Sequence, residues 1–119
     1  MKNSNNLTPK IRHFSKNDIL LVSEVQKFLS GKWKLLILMT LFDRPKRFKE
    51  IASLVGITDK VLSVELKDME RKQLISRTVY DSYPALVEYA ATPFSFTLTN
   101  VLRELCEWSL VMNKKKKRN

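Results

Sequence analysis

Apolar residues recur at helical spacing in two short segments near the middle of the chain. The first segment carries Phe48, Ile51, Leu54 and Val55, and the second carries Leu62, Leu66 and Met69. Gly56 lies between the segments and can supply the left-handed C-cap that a tight helix–helix turn requires. Thr58 follows as a candidate N-cap for the second helix. This pattern predicts a helix-turn-helix.

A strand pattern follows directly. Residues 75–80 (Ile-Ser-Arg-Thr-Val-Tyr) and 86–89 (Leu-Val-Glu-Tyr) are rich in β-branched and aromatic side chains. The turn formers Asp81, Ser82 and Pro84 separate them. Together they predict a β-hairpin, which would form the wing beside the helix-turn-helix.

Two apolar helices are predicted before this unit. Ser15, with Asp18 three residues later, is typical of a helix start. Apolar residues then cover more than one side of the helix over residues 19–29, so this helix must bury two faces. A second, strongly apolar helix is predicted over residues 33–42.

One long helix is predicted after the hairpin, beginning at Pro93 with Thr92 as its N-cap. Its apolar stripe has the 4-3-4-3-4 spacing of a helix that packs lengthwise on another, and comprises Phe94, Leu98, Val101, Leu105, Trp108 and Met112. Packing within one chain is the alternative to dimerisation. We predict a homodimer whose interface contains Leu20, Leu21, Val25, Phe28, Leu98, Leu102, Leu105, Trp108 and Met112.

The predicted fold class is therefore α+β and mainly α: a winged helix-turn-helix with additional N- and C-terminal dimerisation helices. We expect residues 1–14 to form a flexible basic arm, 15–113 the folded domain, and 114–119 a basic tail.

Charge favours a polyanionic partner. The 119 residues carry a net charge of +10, of which Lys114–Arg118 contributes five. Such an excess suits nucleic acid or an anionic membrane surface. The longest nearly apolar run, residues 35–42, is far shorter than the ~20 residues of a spanning helix. No signal-peptide pattern is present and Cys106 is the single cysteine, so we expect a cytoplasmic protein.

The second helix of the motif has a polar face suited to DNA. Lys60, Ser63, Val64, Lys67 and Arg71 share one side of it. A serine can hydrogen-bond base edges, a valine can touch a thymine methyl, and lysines can reach guanine or phosphate. The alternative is a solvated face. We predict the DNA-binding residues Arg47, Lys49, Thr58, Lys60, Ser63, Val64, Lys67 and Arg77.

Catalysis is not expected. His13 is the single histidine and no second cysteine exists, so no zinc site of known spacing can be built. There is no glycine-rich phosphate loop. We predict no enzyme, no metal and no cofactor. Cys106 is expected to be a half-buried inert thiol, with a redox role as the alternative.

The chain resembles the HxlR-type family of winged helix-turn-helix transcriptional regulators from residue 28 to 108. The resemblance rests on Gly31-Lys32-Trp33, Arg47-Phe48, Gly56-Ile57-Thr58, Leu74-Ile75, Val87-Glu88-Tyr89 and Leu105-Cys106-Glu107-Trp108. It implies a bacterial homodimer that binds operator DNA and pairs through its first and last helices. Many members carry a sensor cysteine where this chain has Leu20, so that switch is not carried over.

The sequence thus predicts a sequence-specific DNA-binding transcriptional regulator, homodimeric on a pseudo-palindromic operator, with room for an unidentified small-molecule effector. The main alternative is a winged-helix protein-interaction module that modulates another regulator without specific DNA binding. The wing tip, residues 81–85, has no positive charge, so we expect weak minor-groove contact. A third hypothesis is an RNA or membrane-surface binder that acts through the lysine tail.

Overall fold

The computed structural model describes residues 12–118, so most of the predicted N-terminal arm lies outside the described residues. The chain divides after Gly31 into two compact units. The elements, in chain order, are α1 (Lys16–Phe28), α2 (Lys34–Leu41), α3 (Phe48–Val55), α4 (Asp59–Arg71), β1 (Ile75–Tyr80), β2 (Leu86–Ala91), α5 (Pro93–Phe96) and α6 (Thr99–Arg118). The mainly helical winged-helix fold is confirmed.

Helix α1 begins where the sequence predicts. The Asp18 amide donates to Ser15 Oγ at 3.1 Å, and the Ser15 amide donates to the Asp18 carboxylate at 2.9 Å. This reciprocal capping box satisfies two amides that the helix itself leaves unpaired. No residue of α1 is buried, and Leu20, Leu21 and Val25 are each just over half exposed. An apolar face is therefore open along this helix.

The core of the second unit is formed by apolar residues of α2, α3, α4, β1 and α6 and of the turns beside them. The buried apolar residues are Ile37, Leu38, Leu41, Ile51, Ile57, Leu62, Leu66, Met69, Leu74, Ile75 and Leu102. Leu54 was expected in the stripe of α3, yet it is 62% exposed. Ile51 is the buried residue of α3, and Phe48 and Val55 are half-buried.

The turn between α3 and α4 has the geometry expected of a helix-turn-helix. Gly56 adopts φ +76°, and its amide donates to the Ala52 carbonyl at 2.9 Å. Thr58 Oγ1 accepts from the Val61 amide at 3.3 Å and caps α4. Both predicted caps are confirmed. They fix the direction in which α4 leaves the turn.

We expect Gly56→Ala to lower the free energy of unfolding by about 1 kcal/mol, because an L-residue is strained at positive φ. A Cβ at this position would meet no atom within 4 Å, so the cost is conformational rather than steric. Urea denaturation measures it. Gly56→Asn is the matched control and should cost less, since asparagine tolerates this conformation. An alanine variant as stable as the wild type would contradict the prediction.

Strands β1 and β2 pair antiparallel, with Arg77 opposite Tyr89. Lys46 adds a single bridging residue to this hairpin: its amide donates to the Tyr89 carbonyl at 2.9 Å, and the Tyr89 amide donates back at 2.8 Å. The Lys46 side chain is buried, and its Nζ donates to the Thr40 carbonyl and to Asp43. The wing is thus tied to the end of α2 by a contact that local periodicity does not predict.

The predicted C-terminal helix is interrupted. A turn at Thr97 and Leu98 separates α5 from α6. The Leu98 amide donates to the Ser95 carbonyl at 3.0 Å, and the Thr97 hydroxyl donates to the Phe94 carbonyl at 2.6 Å. Side-chain hydroxyls of this kind compete with helical hydrogen bonding. The expectation of one helix from Pro93 was therefore wrong at this point.

Helix α6 continues through the lysine run and ends at Arg118. Cations at a helix C-terminus interact favourably with its dipole. Leu102 on α6 is only 5% exposed, whereas we predicted it at the dimer interface. It belongs to the core of its own chain and has little surface left to give to a partner, so that prediction was wrong.

Candidate nucleic-acid interface

Helix α4 presents the predicted polar face to solvent. Lys60, Val64 and Lys67 are exposed and Ser63 is half-buried, whereas Leu62, Leu66 and Met69 are buried on the other side. Val64 is 64% exposed although its side chain is entirely apolar. An exposed valine between two lysines suits contact with a thymine methyl in a major groove.

Basic side chains from two elements meet at one edge of this face. Ser63, Leu66, Lys67 and Glu70 of α4 line a pocket of about 330 Å³ together with Arg77 and Tyr89 of the wing. Within residues 12–118, neither Lys67 nor Arg77 has a carboxylate within ion-pair distance. Both charges are therefore available to a phosphate between the helix and the wing.

Tyr89 and Glu70 belong to this edge and were not predicted. The strand register carries the signal for Tyr89, because residues paired across antiparallel strands share a face. Arg77 was predicted, so its partner Tyr89 follows from the pairing. Glu70 follows from the helix, since it lies three residues after Lys67. Its carboxylate places a negative charge near the two cations of the pocket.

Two arginines near the start of α3, Arg44 and Arg47, differ in whether their side chains are paired with a carboxylate within residues 12–118. Arg47 immediately precedes the helix and is exposed, with its amide 3.4 Å from Glu50. Arg44 instead pairs with Glu50 at 2.6 Å, and this hydrogen-bonded pair holds the pKa of the Glu50 carboxyl below its usual value. The positive charge of Arg44 is therefore paired within the chain.

Lys49 is paired across the helix-turn-helix. Its Nζ lies 2.5 Å from Asp59 Oδ2, and the two side chains are 80% and 55% exposed. Asp59 also occupies the first turn of α4, where the helix dipole favours a carboxylate. Arg71, on the predicted face, pairs with Asp68. Among the predicted cations, Lys49 thus has a competing intramolecular partner.

The hydroxyl of Thr58 already caps α4, and the residue is exposed at the N-terminal end of that helix. Cys106 is exposed, so the expectation of a half-buried thiol was wrong.

Over residues 12–118, no group of three or more His, Cys, Asp or Glu side chains is placed to hold a metal ion. No helix in this range has the length and apolar character to cross a bilayer.

A helix-turn-helix with its second helix exposed, a hairpin wing beside it and cations on both defines a winged helix-turn-helix protein. The chain belongs to the HxlR-like helix-turn-helix family, whose family model matches residues 28–117. It is 44% identical over 84 residues to an uncharacterized HTH-type transcriptional regulator of Halalkalibacterium halodurans. The aligned residues are 69% of this chain and 74% of that relative.

The chain is also similar to solved structures of regulators. A putative transcriptional regulator of the MarR family from Enterococcus faecalis V583 has a TM-score of 0.72 at 33% identity, covering 89% of this chain and 96% of that one. The redox regulator HypR in its reduced form has a TM-score of 0.76 at 28% identity, covering 83% of this chain and 99% of that one.

Proposed function

We propose that this protein is a sequence-specific DNA-binding transcriptional regulator that acts as a homodimer in the cytoplasm. The observation that carries the proposal is the exposed face of α4, where Lys60, Ser63, Val64 and Lys67 lie beside the wing cation Arg77. Two copies of α4 would enter successive major grooves about one helical turn apart, which requires a pseudo-palindromic operator. No catalytic role is proposed.

Unpartnered apolar surface on α1 and α6 supports the homodimer. Val101, Leu105, Trp108 and Val111 on α6 are each at least half exposed, as are five apolar residues of α1. On each helix these exposed apolar residues are grouped, and grouped exposed apolar residues mark interaction sites. We propose that a second copy covers it, with Leu20, Leu21, Val25, Phe28, Leu98, Leu105, Trp108 and Met112 in the interface.

A fluorescence-anisotropy titration tests the function. The labelled probes are a duplex from the region upstream of the protein's own gene and a scrambled duplex of the same composition, at physiological salt. We expect at least about a thousandfold tighter binding to a specific site than to the scrambled duplex. Equal affinity for the two duplexes would overturn sequence-specific recognition.

The pair between Lys49 and Asp59 leads to a prediction of stronger binding. Asp59→Asn removes a carboxylate from the first turn of the DNA-facing helix and frees the Lys49 ammonium for a phosphate. We expect DNA affinity to rise by a factor of about three to ten at low salt, with a steeper salt dependence. The ion pair is exposed, so thermal stability should change little. Asp81→Asn at the wing tip is the matched control, and affinity that falls in Asp59→Asn would contradict the prediction.

The protein-interaction module stays the second candidate, because two observations favour it. Asp59 neutralises Lys49, and the wing tip from residue 81 to 85 has an exposed Tyr83 but no cation. That function predicts that DNA binding depends only on charge number and that a second regulator is retained by the purified dimer. A small-molecule effector is compatible with either function.

A further inference from the structure

A buried lysine ties the DNA-facing helix to α2. Lys34 is 5% exposed, and its Nζ lies 2.7 Å from Glu65 Oε1 and 3.1 Å from Asp68 Oδ2, both on α4. The two carboxylates are themselves only 16% and 20% exposed. A buried ammonium is unfavourable unless it is paired and hydrogen-bonded, and here both carboxylates meet it.

The position of this lysine is locally unfavourable. Lys34 is the first residue of α2, where the helix dipole disfavours a cation. Burial opposes its charged form as well, yet the hydrogen bonds and charges of Glu65 and Asp68 outweigh burial and hold the pKa of Lys34 above its usual value. The lysine is unfavourable for its own helix and is stabilised by a residue 31 positions away. The contact between the two helices therefore explains why a charged residue stands at this position.

Glu65 and Asp68 lie on one flank of α4. The wing meets the other flank, where Ser63 and Glu70 line the pocket with Arg77 and Tyr89. Glu65 and Glu70 are about 140° apart around the helix, at 100° per residue. The buried stripe between these flanks consists of apolar packing, which is not directional. The pair of hydrogen bonds to Lys34 is directional.

Rotation of α4 about its axis matters because base contacts need accurate placement. A side chain about 6 Å from the axis moves by about 1 Å when the helix turns by 10°. That displacement exceeds the tolerance of a hydrogen bond to a base edge, whereas a flexible lysine can follow a phosphate. An error in rotation therefore reduces discrimination between sequences more than it reduces attraction to DNA in general.

We propose that Lys34 is a positioning residue for DNA recognition, which fixes the rotation of α4 through Glu65 and Asp68 and so sets sequence specificity. The inference rests on the proposed DNA-binding function and adds a residue that touches no DNA. Lys34 contacts α4 through Glu65 and Asp68, on the flank away from the wing.

The test compares Lys34→Met with Lys72→Met. Lys72 also pairs with Asp68, at 2.9 Å, but it is the C-cap residue of α4 itself and does not join two helices through that pair. Both variants remove one charge from the same carboxylate. The probes are a duplex enriched by the wild-type protein from a random-sequence pool and a scrambled duplex of the same composition. Circular dichroism confirms that each variant is folded at the assay temperature.

We expect Lys34→Met to lower the ratio of specific to scrambled affinity at least about fivefold, the size of one lost base contact. Lys72→Met should keep the ratio within about twofold, and Lys34→Arg should recover part of the loss. Glu65→Gln is the milder variant if Lys34→Met does not fold, and it should lower the ratio in the same direction. A folded Lys34→Met or Glu65→Gln protein with the wild-type ratio overturns the positioning role.

The wild-type control separates the two proposals. A random pool that yields no enriched duplex overturns the proposed function, and the positioning role falls with it. An enriched duplex with an unchanged ratio in the folded variants overturns the positioning role alone and leaves DNA recognition intact.

Discussion

Trp108→Asp is expected to prevent the proposed homodimer from forming and to weaken binding to a two-half-site operator by at least about 100-fold. Trp108 is 60% exposed on α6, between Leu105 and Val111, which are 50% and 60% exposed. A carboxylate there would be buried without a partner if the dimer formed, which strongly disfavours the interface. A monomer carries one α4 and loses the effective concentration that links two half-sites, which is commonly worth 10²–10⁴ in affinity.

Sedimentation velocity measures the oligomeric state, and anisotropy with the enriched duplex measures affinity. Asn100→Asp is the matched control, because it adds the same charge to an exposed position of α6 and should leave both properties unchanged. A Trp108→Asp protein that stays dimeric would place the interface elsewhere. A monomer that binds with wild-type affinity would show that the two half-sites are not read together.

The same helix shows what the sequence could not predict. The 4-3-4-3-4 spacing treats Leu98, Leu102 and Leu105 as members of one apolar surface, yet Leu102 is buried in its own chain while Leu105 is half exposed. Periodicity identifies which residues avoid water and does not say what covers them. Which residues of α6 are buried within the chain depends on where its other elements pass.

The helix-turn-helix was predictable because its signals are local. Gly56 must adopt positive φ within the turn, Thr58 must cap the next helix, and Leu62 begins a stripe that repeats within α4. Each of these follows from residues at most a few positions apart. The exposed face that bears Lys60 and Lys67 then follows as the complement of the buried stripe.

Contacts between distant residues account for the features that were missed. The bridge from Lys46 to Tyr89 spans 43 positions, and the pair between Lys34 and Glu65 spans 31. In the sequence both lysines are indistinguishable from solvated ones, since burial of a cation is decided by carboxylates or carbonyls brought close by folding. Charge counting therefore overstates the basic surface available to DNA.

Lys67→Ala is expected to weaken DNA binding by about 5- to 30-fold and to leave the dimer unchanged. Lys67 is exposed on α4 beside Arg77 and has no ion-pair partner within residues 12–118, so its removal costs no intramolecular contact of that kind. If it binds a phosphate, the slope of log affinity against log salt should fall by about one and every sequence should lose affinity equally. If it binds guanine, discrimination at one base pair should relax instead.

Lys115→Ala is the matched control, because Lys115 is exposed on α6 and lies outside the recognition face. A loss as large in this control as in Lys67→Ala would mean that binding depends on charge number alone, which favours the RNA- or membrane-surface hypothesis over sequence readout. Dissociation of the Lys67→Ala dimer would contradict the assignment of helix faces. Helix α4 carries the proposed recognition face on one side, and its buried stripe and the Lys34 pair on the others. Loss of DNA binding with an intact dimer would therefore support a DNA-binding role for the exposed side that is independent of dimerisation.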